Sequence, residues 1–193
     1  MKHRTQASIG ALLILLGSAC STPTPIGPYS TTSAENRDES KAEQLTRDAV
    51  AVADRDPEKA ESLLREALTS DLYHGPAHND LGVLFFRQGK LYEAANEFEW
   101  ARKLMPGSPD PRLNLALVLE RAGQKKEAFA SYDAALEAAP EHVPTMQAYA
   151  RLAVREGRRD EKTANALKLV ALRGEDDAWR RWAQLEVART AHE

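Results

Sequence analysis

GPAHNDLGVLFFRQGKLYEAANEFEWARKLMPGS at residues 75–108 and PDPRLNLALVLERAGQKKEAFASYDAALEAAPEH at residues 109–142 decide the fold. Set one above the other, they agree at a spacing of 34 residues: Gly89 over Gly123, Ala94 over Ala128, Phe98 over Tyr132, Ala101 over Ala135 and Pro106 over Pro140. The register continues outward. Ala60, Leu64 and Ala67 stand one period earlier, and Gly157 one period later. A period of this length marks one small unit copied several times. Within each copy the apolar residues recur at i, i+3, i+4 and i+7, the spacing of an amphipathic helix. Glycine near the middle can end a first helix in the left-handed conformation, and proline at the end stops a second, which it cannot continue. Ala and Gly at the crossing positions let two helix backbones approach closely. From about residue 42 onward no strand-like alternation interrupts this pattern.

These residues resemble the tetratricopeptide repeat. Residues 75–108 carry Leu81, Gly82, Phe85, Gly89, Ala94, Phe98, Ala101 and Pro106 in its register; residues 109–142 carry Leu115, Ala116, Leu119, Gly123, Ala128, Tyr132, Ala135 and Pro140. Residues 42–74 match in their second helix, and in the first through Leu45, Ala49 and Val52 if the turn is one residue shorter. Residues 143–174 match in the first helix through Met146, Tyr149, Ala150 and Gly157, but Lys162 stands where a small residue is expected in the second. The resemblance implies an all-α fold: a right-handed superhelix of about four helix-turn-helix pairs. Residues 175–193 follow as a closing helix and tail. Trp179, Trp182, Ala183, Glu186 and Val187 lie on one face of that helix, which is expected to cap the last repeat as terminal repeats require.

The resemblance also implies a site. In the family the first helix of each pair lines a concave groove that holds protein segments. By register, Asn79, Val83, Phe86 and Arg87 line it, then Leu113, Asn114, Leu117 and Arg121, then Gln147, Arg151, Val154 and Arg155. Arg87, Arg121 and Arg155 form a ladder at the repeat spacing, suited to the carboxylates of an acidic segment or serving solubility alone. The clamp by which some members hold a chaperone's C-terminus is largely missing, because Val83, Pro144 and Ala148 stand where polar or basic residues belong. Trp100 lies off the core stripe of its helix, either as an exposed anchor or packed on a neighbouring helix.

Catalytic and metal motifs are missing. His74 and His78 have i, i+4 spacing, but Gly75-Pro76 between them points to a repeat junction rather than a metal site. Gly82 and Gly89-Lys90 only faintly resemble a phosphate loop, and both glycines already have places in the repeat. No nucleophile motif is present. No cofactor and no small-molecule substrate are expected. The chain holds 26 Lys and Arg against 29 Asp and Glu with no basic block, which argues against a nucleic-acid partner.

The N-terminus adds a different signal. Met1-Lys2-His3-Arg4 is basic, Ile9 to Leu16 is an apolar run, and Gly17-Ser18-Ala19 are small residues directly before Cys20, the single cysteine. This is the layout of an export signal over residues 1–19, too short to span a bilayer. A lone cysteine at the cut resembles the lipobox of bacterial lipoproteins, in which that cysteine is acylated; an ordinary signal peptide leaving a free thiol is the alternative. Several acyl chains hold a protein to a membrane far more firmly than one. Residues 20–41, rich in Pro, Ser and Thr, read as a lipidated cysteine and disordered tether ahead of a repeat domain over 42–174.

The expectation is therefore a lipid-anchored, exported adaptor of the bacterial envelope that binds protein partners through its groove. Ser21 after the cysteine is similar to the sorting signal for the periplasmic face of an outer membrane. The architecture resembles small pilus-assembly lipoproteins of the pilotin type, with a role in pilus or secretion-system assembly. The alternative is an accessory scaffold of peptidoglycan enzymes. Acylation makes a direct prediction. The chain partitions with membranes and incorporates labelled fatty acid, and Cys20→Ala abolishes both without changing helicity measured by circular dichroism. Label retained by that variant refutes the anchor.

Overall fold

The structure, a computed structural model, describes residues 37–190, which form α-helices only. In chain order they are α1 (Glu39–Val52), α2 (Pro57–Ser70), α3 (Gly75–Arg87), α4 (Leu91–Leu104), α5 (Asp110–Arg121), α6 (Lys125–Ala138), α7 (Val143–Arg155), α8 (Glu161–Arg173) and α9 (Asp177–Thr190). The expected export segment, Cys20 and most of the expected tether lie outside the described residues.

Local chemistry sets the boundaries. Asp38, Asp56 and Asp160 each accept the backbone N–H three residues on, capping α1, α2 and α8. Proline in the first turn opens α2, α3, α5 and α7, where its missing N–H costs nothing. Gly89, Gly123 and Gly157 have φ of 77°, 79° and 69° and end α3, α5 and α7. Past each one the chain folds back, with Lys90, Gln124 and Arg158 donating to Phe85, Leu119 and Ala153 at 2.9 Å. This six-to-one bond is the helix ending that glycine at this place allows.

Each helix packs on its sequence neighbour, and α1, α3, α5 and α7 also touch one another in series along the inner wall. Ala60, Ala94 and Ala128 are fully buried where the helices of a pair cross, and Leu64, Phe98 and Tyr132 fill the seam beside them. Burying each of those three large side chains is worth roughly 1.5–3 kcal/mol. Two clusters result. One runs from Ala42 to Val118, the other from Leu113 to Ala183, and α5 supplies residues to both.

Two expectations need correction. First, residues 37–41 are not tether: α1 starts at Glu39, the Arg37 guanidinium donates to the Asp71 carboxylate at 2.8 and 3.0 Å, and the Asp38 N–H bonds Ser70. Second, the fourth pair keeps its seam by shifting register one residue. Its turn is longer, so Thr163, Leu167 and Val170 take the buried positions while Lys162 turns outward to Asp133. The closing helix α9 packs on α8 and buries Ala183 and Glu186, with Trp179 and Trp182 half-buried against the second cluster. They meet edge to face at 5.4 Å on the side of the second cluster.

His78 and Trp100 prove to be neighbours. His78 is fully buried; its Nδ1 lies 2.6 Å from the Glu97 carboxylate and its Nε2 2.9 Å from the Leu72 carbonyl. Trp100 stacks on the imidazole at 5.6 Å while keeping 39% of its surface exposed. The ring thus packs on the neighbouring helix and is exposed as well.

Gly82 tests the close approach. A Cβ there would lie 2.7 Å from Phe98 Cε1, against a ring that is fully buried. Overpacking of this kind costs roughly 1–3 kcal/mol, against about 1 kcal/mol gained in helix propensity. Gly82→Ala is expected to lose about 1 kcal/mol in urea unfolding, while Gly107→Ala, which meets open space, leaves the midpoint unchanged.

Candidate protein-binding groove

The inner wall is built from the odd-numbered helices, because each pair turns its second helix outward. The structure brings only some of the expected residues to that surface. Val83, Phe86, Leu117 and Val154 are half-buried, with part of each side chain facing out and part packed on the clusters. Leu113 is buried in the second cluster and does not line the groove. Gln147 is also withdrawn, at 3% exposure. With its amide oriented to satisfy both ends, it donates to the Glu175 carboxylate at 3.2 Å and accepts from the Glu175 N–H at 3.1 Å. The connection between α8 and α9 therefore covers it. Asn114 and Asn79 are spent on each other: the Asn114 amide donates to the Asn79 carbonyl at 3.0 Å.

The arginines keep their positions but not the free charges expected of them. Arg87 pairs with Asp54 at 2.9 Å. Arg151 and Arg155 both reach Glu120, at 3.2 and 3.1 Å. Arg121 alone of the ladder has no carboxylate partner among the described residues, and its guanidinium sits over the Phe86 ring at 5.4 Å. An arginine over an aromatic face is held for a modest cost in entropy and still offers its edge to an acceptor.

Glu120 is the residue that sequence reasoning missed. It stands one period after Phe86, in the same register position. Besides the two arginines it accepts the Tyr132 hydroxyl at 2.8 Å. Burial, together with that carboxylate, pushes the Tyr132 phenol well above its usual range. Asp80 was missed too. Burial raises its carboxyl above the ordinary carboxylate range, and the Asn79 amide, 3.2 Å away, only partly offsets this. At the far end Trp179 and Trp182 share a cleft of about 350 Å³ with Arg151. The wall thus alternates apolar and polar patches from α1 to α9. Among the described residues no group of three His, Cys, Asp or Glu could hold a metal ion, and no helix is long and apolar enough to cross a membrane.

Comparison with known proteins agrees with this architecture. The family model of the tetratricopeptide repeat matches residues 50–99 and 80–143. Tetratricopeptide repeat protein 8 of Mus musculus is 29% identical over 112 residues, 58% of this chain and 22% of that protein; the Homo sapiens protein of that name is also 29% identical over 112 residues. The chain spans about a fifth of the length of these curated relatives. Among solved structures, Pseudomonas aeruginosa pilF has a TM-score of 0.66 at 23% identity, covering 80% of this chain and 73% of that one. A tetratricopeptide repeat protein from Parabacteroides merdae has a TM-score of 0.65 at 19% identity, covering 79% and 61%. The first repeat domain of Spaghetti (RPAP3), bound to an HSP90 peptide, has a TM-score of 0.59 at 15% identity, covering 63% and 98%. At such identities the likeness to these structures is one of fold. Residues 50–143 thus carry tetratricopeptide repeats, and the chain has the tetratricopeptide-repeat fold, a scaffold for protein–protein interaction.

The Glu120 node makes a prediction about stability. Glu120→Ala leaves the buried Tyr132 hydroxyl without its acceptor, and a lost partner of this kind costs roughly 1–3 kcal/mol. Tyr132→Phe alone is expected to cost about 1 kcal/mol, and the double variant less than the sum of the two, because both remove one bond. Urea unfolding of the three variants checks the cycle.

Proposed function

We propose that this tetratricopeptide-repeat protein is a non-enzymatic adaptor, anchored by lipid on Cys20 to the periplasmic face of a bacterial outer membrane, that captures protein segments in the groove. The observation that carries the reading is the inner wall itself. Val83 and Leu117 in one register position, and Phe86 and Val154 in another, offer apolar contact area along it, with the Arg121 guanidinium held over the Phe86 ring. A half-buried aromatic beside a cation is the kind of anchor on which binding energy concentrates. The peptide carried by the RPAP3 repeat domain supports the same use of the fold.

A place in pilus or secretion-system assembly is the specific role we favour. Its support is the resemblance of the N-terminal segment to a lipoprotein signal together with a fold similar to that of pilF. Partners drawn from that machinery fit the role; partners that are peptidoglycan enzymes overturn it in favour of cell-wall scaffolding.

The test is crosslinking in native membranes with the full chain, followed by recovery of its partners. Phe86→Ala and Arg121→Glu should both fold, as judged by circular dichroism, and each should lower recovery about tenfold. The Arg121→Glu loss should shrink in high salt, where exposed charges are screened, and the Phe86→Ala loss should not. Full recovery by both folded variants refutes the groove as the working surface.

A further inference from the structure

At the N-terminal end of the groove, between α1 and α3, lies a cavity of about 220 Å³. Ala49, Val50, Ala53, Val83 and Leu84 give it aliphatic walls. Asp54 and Arg87 line it as well and pair with each other at 2.9 Å. The remaining lining carboxylate, Asp80, has no such partner. Among the described residues its single hydrogen-bond donor is the Asn79 amide, which reaches Oδ1 at 3.2 Å. Among the described residues it forms no ion pair with a Lys or Arg, and nearby His74 favours its charged form. The Asn79 amide is fixed in turn by Asn114, so a chain of two carboxamides runs along the wall and ends on Asp80.

We propose that this cavity receives a lysine or arginine side chain of the protein segment held in the groove. The proposal rests on the groove reading above and adds the chemistry of the partner. An aliphatic pocket whose lining holds one carboxylate without an ion-pair partner matches a long cationic side chain, whose methylene stem lies along apolar surface while its head stays polar. The cation gives Asp80 the charge-assisted bond it lacks, and arginine can make it with two N–H groups at once. An apolar occupant would leave the half-buried carboxylate stripped of water and unpaired, which is costly. An acidic occupant would meet like charge. The pocket thus selects sign as well as shape, and the sign is opposite to the one that the arginine ladder alone suggests.

The probe is n-butylguanidinium, a side chain without a backbone, titrated into the isotope-labelled full chain and followed by amide NMR. Saturable shifts are expected at Ala53, Val83 and Leu84. The neutral isostere n-butylurea should bind at least about tenfold more weakly, the scale of one charge-assisted bond. Asp80→Asn, which keeps size and the Asn79 contact, should weaken butylguanidinium by a similar factor with the rest of the spectrum unchanged. Equal binding of butylguanidinium and butylurea, no saturation, or shifts centred elsewhere overturns the proposal without needing the variant. Partner recovery from native membranes separates the two readings. Loss with both Phe86→Ala and Asp80→Asn supports the cationic anchor. Loss with Phe86→Ala alone leaves the groove standing and refutes the Asp80 pocket.

Discussion

Two helix backbones can lie close together only where no large side chain stands between them, and the whole stack depends on that constraint. Ala60, Ala94 and Ala128 leave the gap, and Leu64, Phe98 and Tyr132 close it from the side. Gly82 shows how narrow the tolerance is, since even one methyl there would press on the Phe98 ring. A single pair of helices cannot cover its own apolar face, so each must lean on the next. The groove is a by-product of this packing. Because the seams use one side of each first helix, the other side is left facing inward as a continuous wall.

This is why the fold was so legible. The 34-residue register is a list of steric requirements, and sequence displays such requirements directly. It failed where the chain satisfied them in another way. In the fourth pair a turn of five residues, against three in the second and third pairs, goes with a seam one residue later, at Thr163 rather than Lys162, and Asp160 caps the helix at its new start. At the N-terminus the Asp38 cap and the bond from Arg37 to Asp71 recruit residues that composition assigns to a linker. Both signals were present as aspartates three residues ahead of a bonded N–H, a local feature that a search for long periods passes over.

The groove was legible in position but not in state. Register placed Arg87, Arg121 and Arg155 along one wall, but the charge available there is set by Asp54 and Glu120, which the register does not single out. Gln147 was placed by the same rule and is hidden because Glu175, far along the chain, folds over it. A repeat pattern reports what every copy shares. A binding surface is made of what each copy does differently, and Phe86, Glu120 and Val154 in one register position illustrate the difference.

The sharing of α5 between the two clusters has a consequence for cooperativity. Leu115 and Val118 belong to the cluster that begins in α1, while Leu113 and Ala116 belong to the one that ends in α9. Local opening at either end can stop at this helix, since each half keeps its own interior, and stability in such stacks is a sum of neighbour terms rather than a single all-or-none quantity. The Asp80 cavity and the tryptophan cleft lie on opposite sides of that partition. A segment long enough to occupy both would bridge two semi-independent bodies. It would then bind a wall and also join two folding units into one, so occupancy at one end would be felt as order at the other.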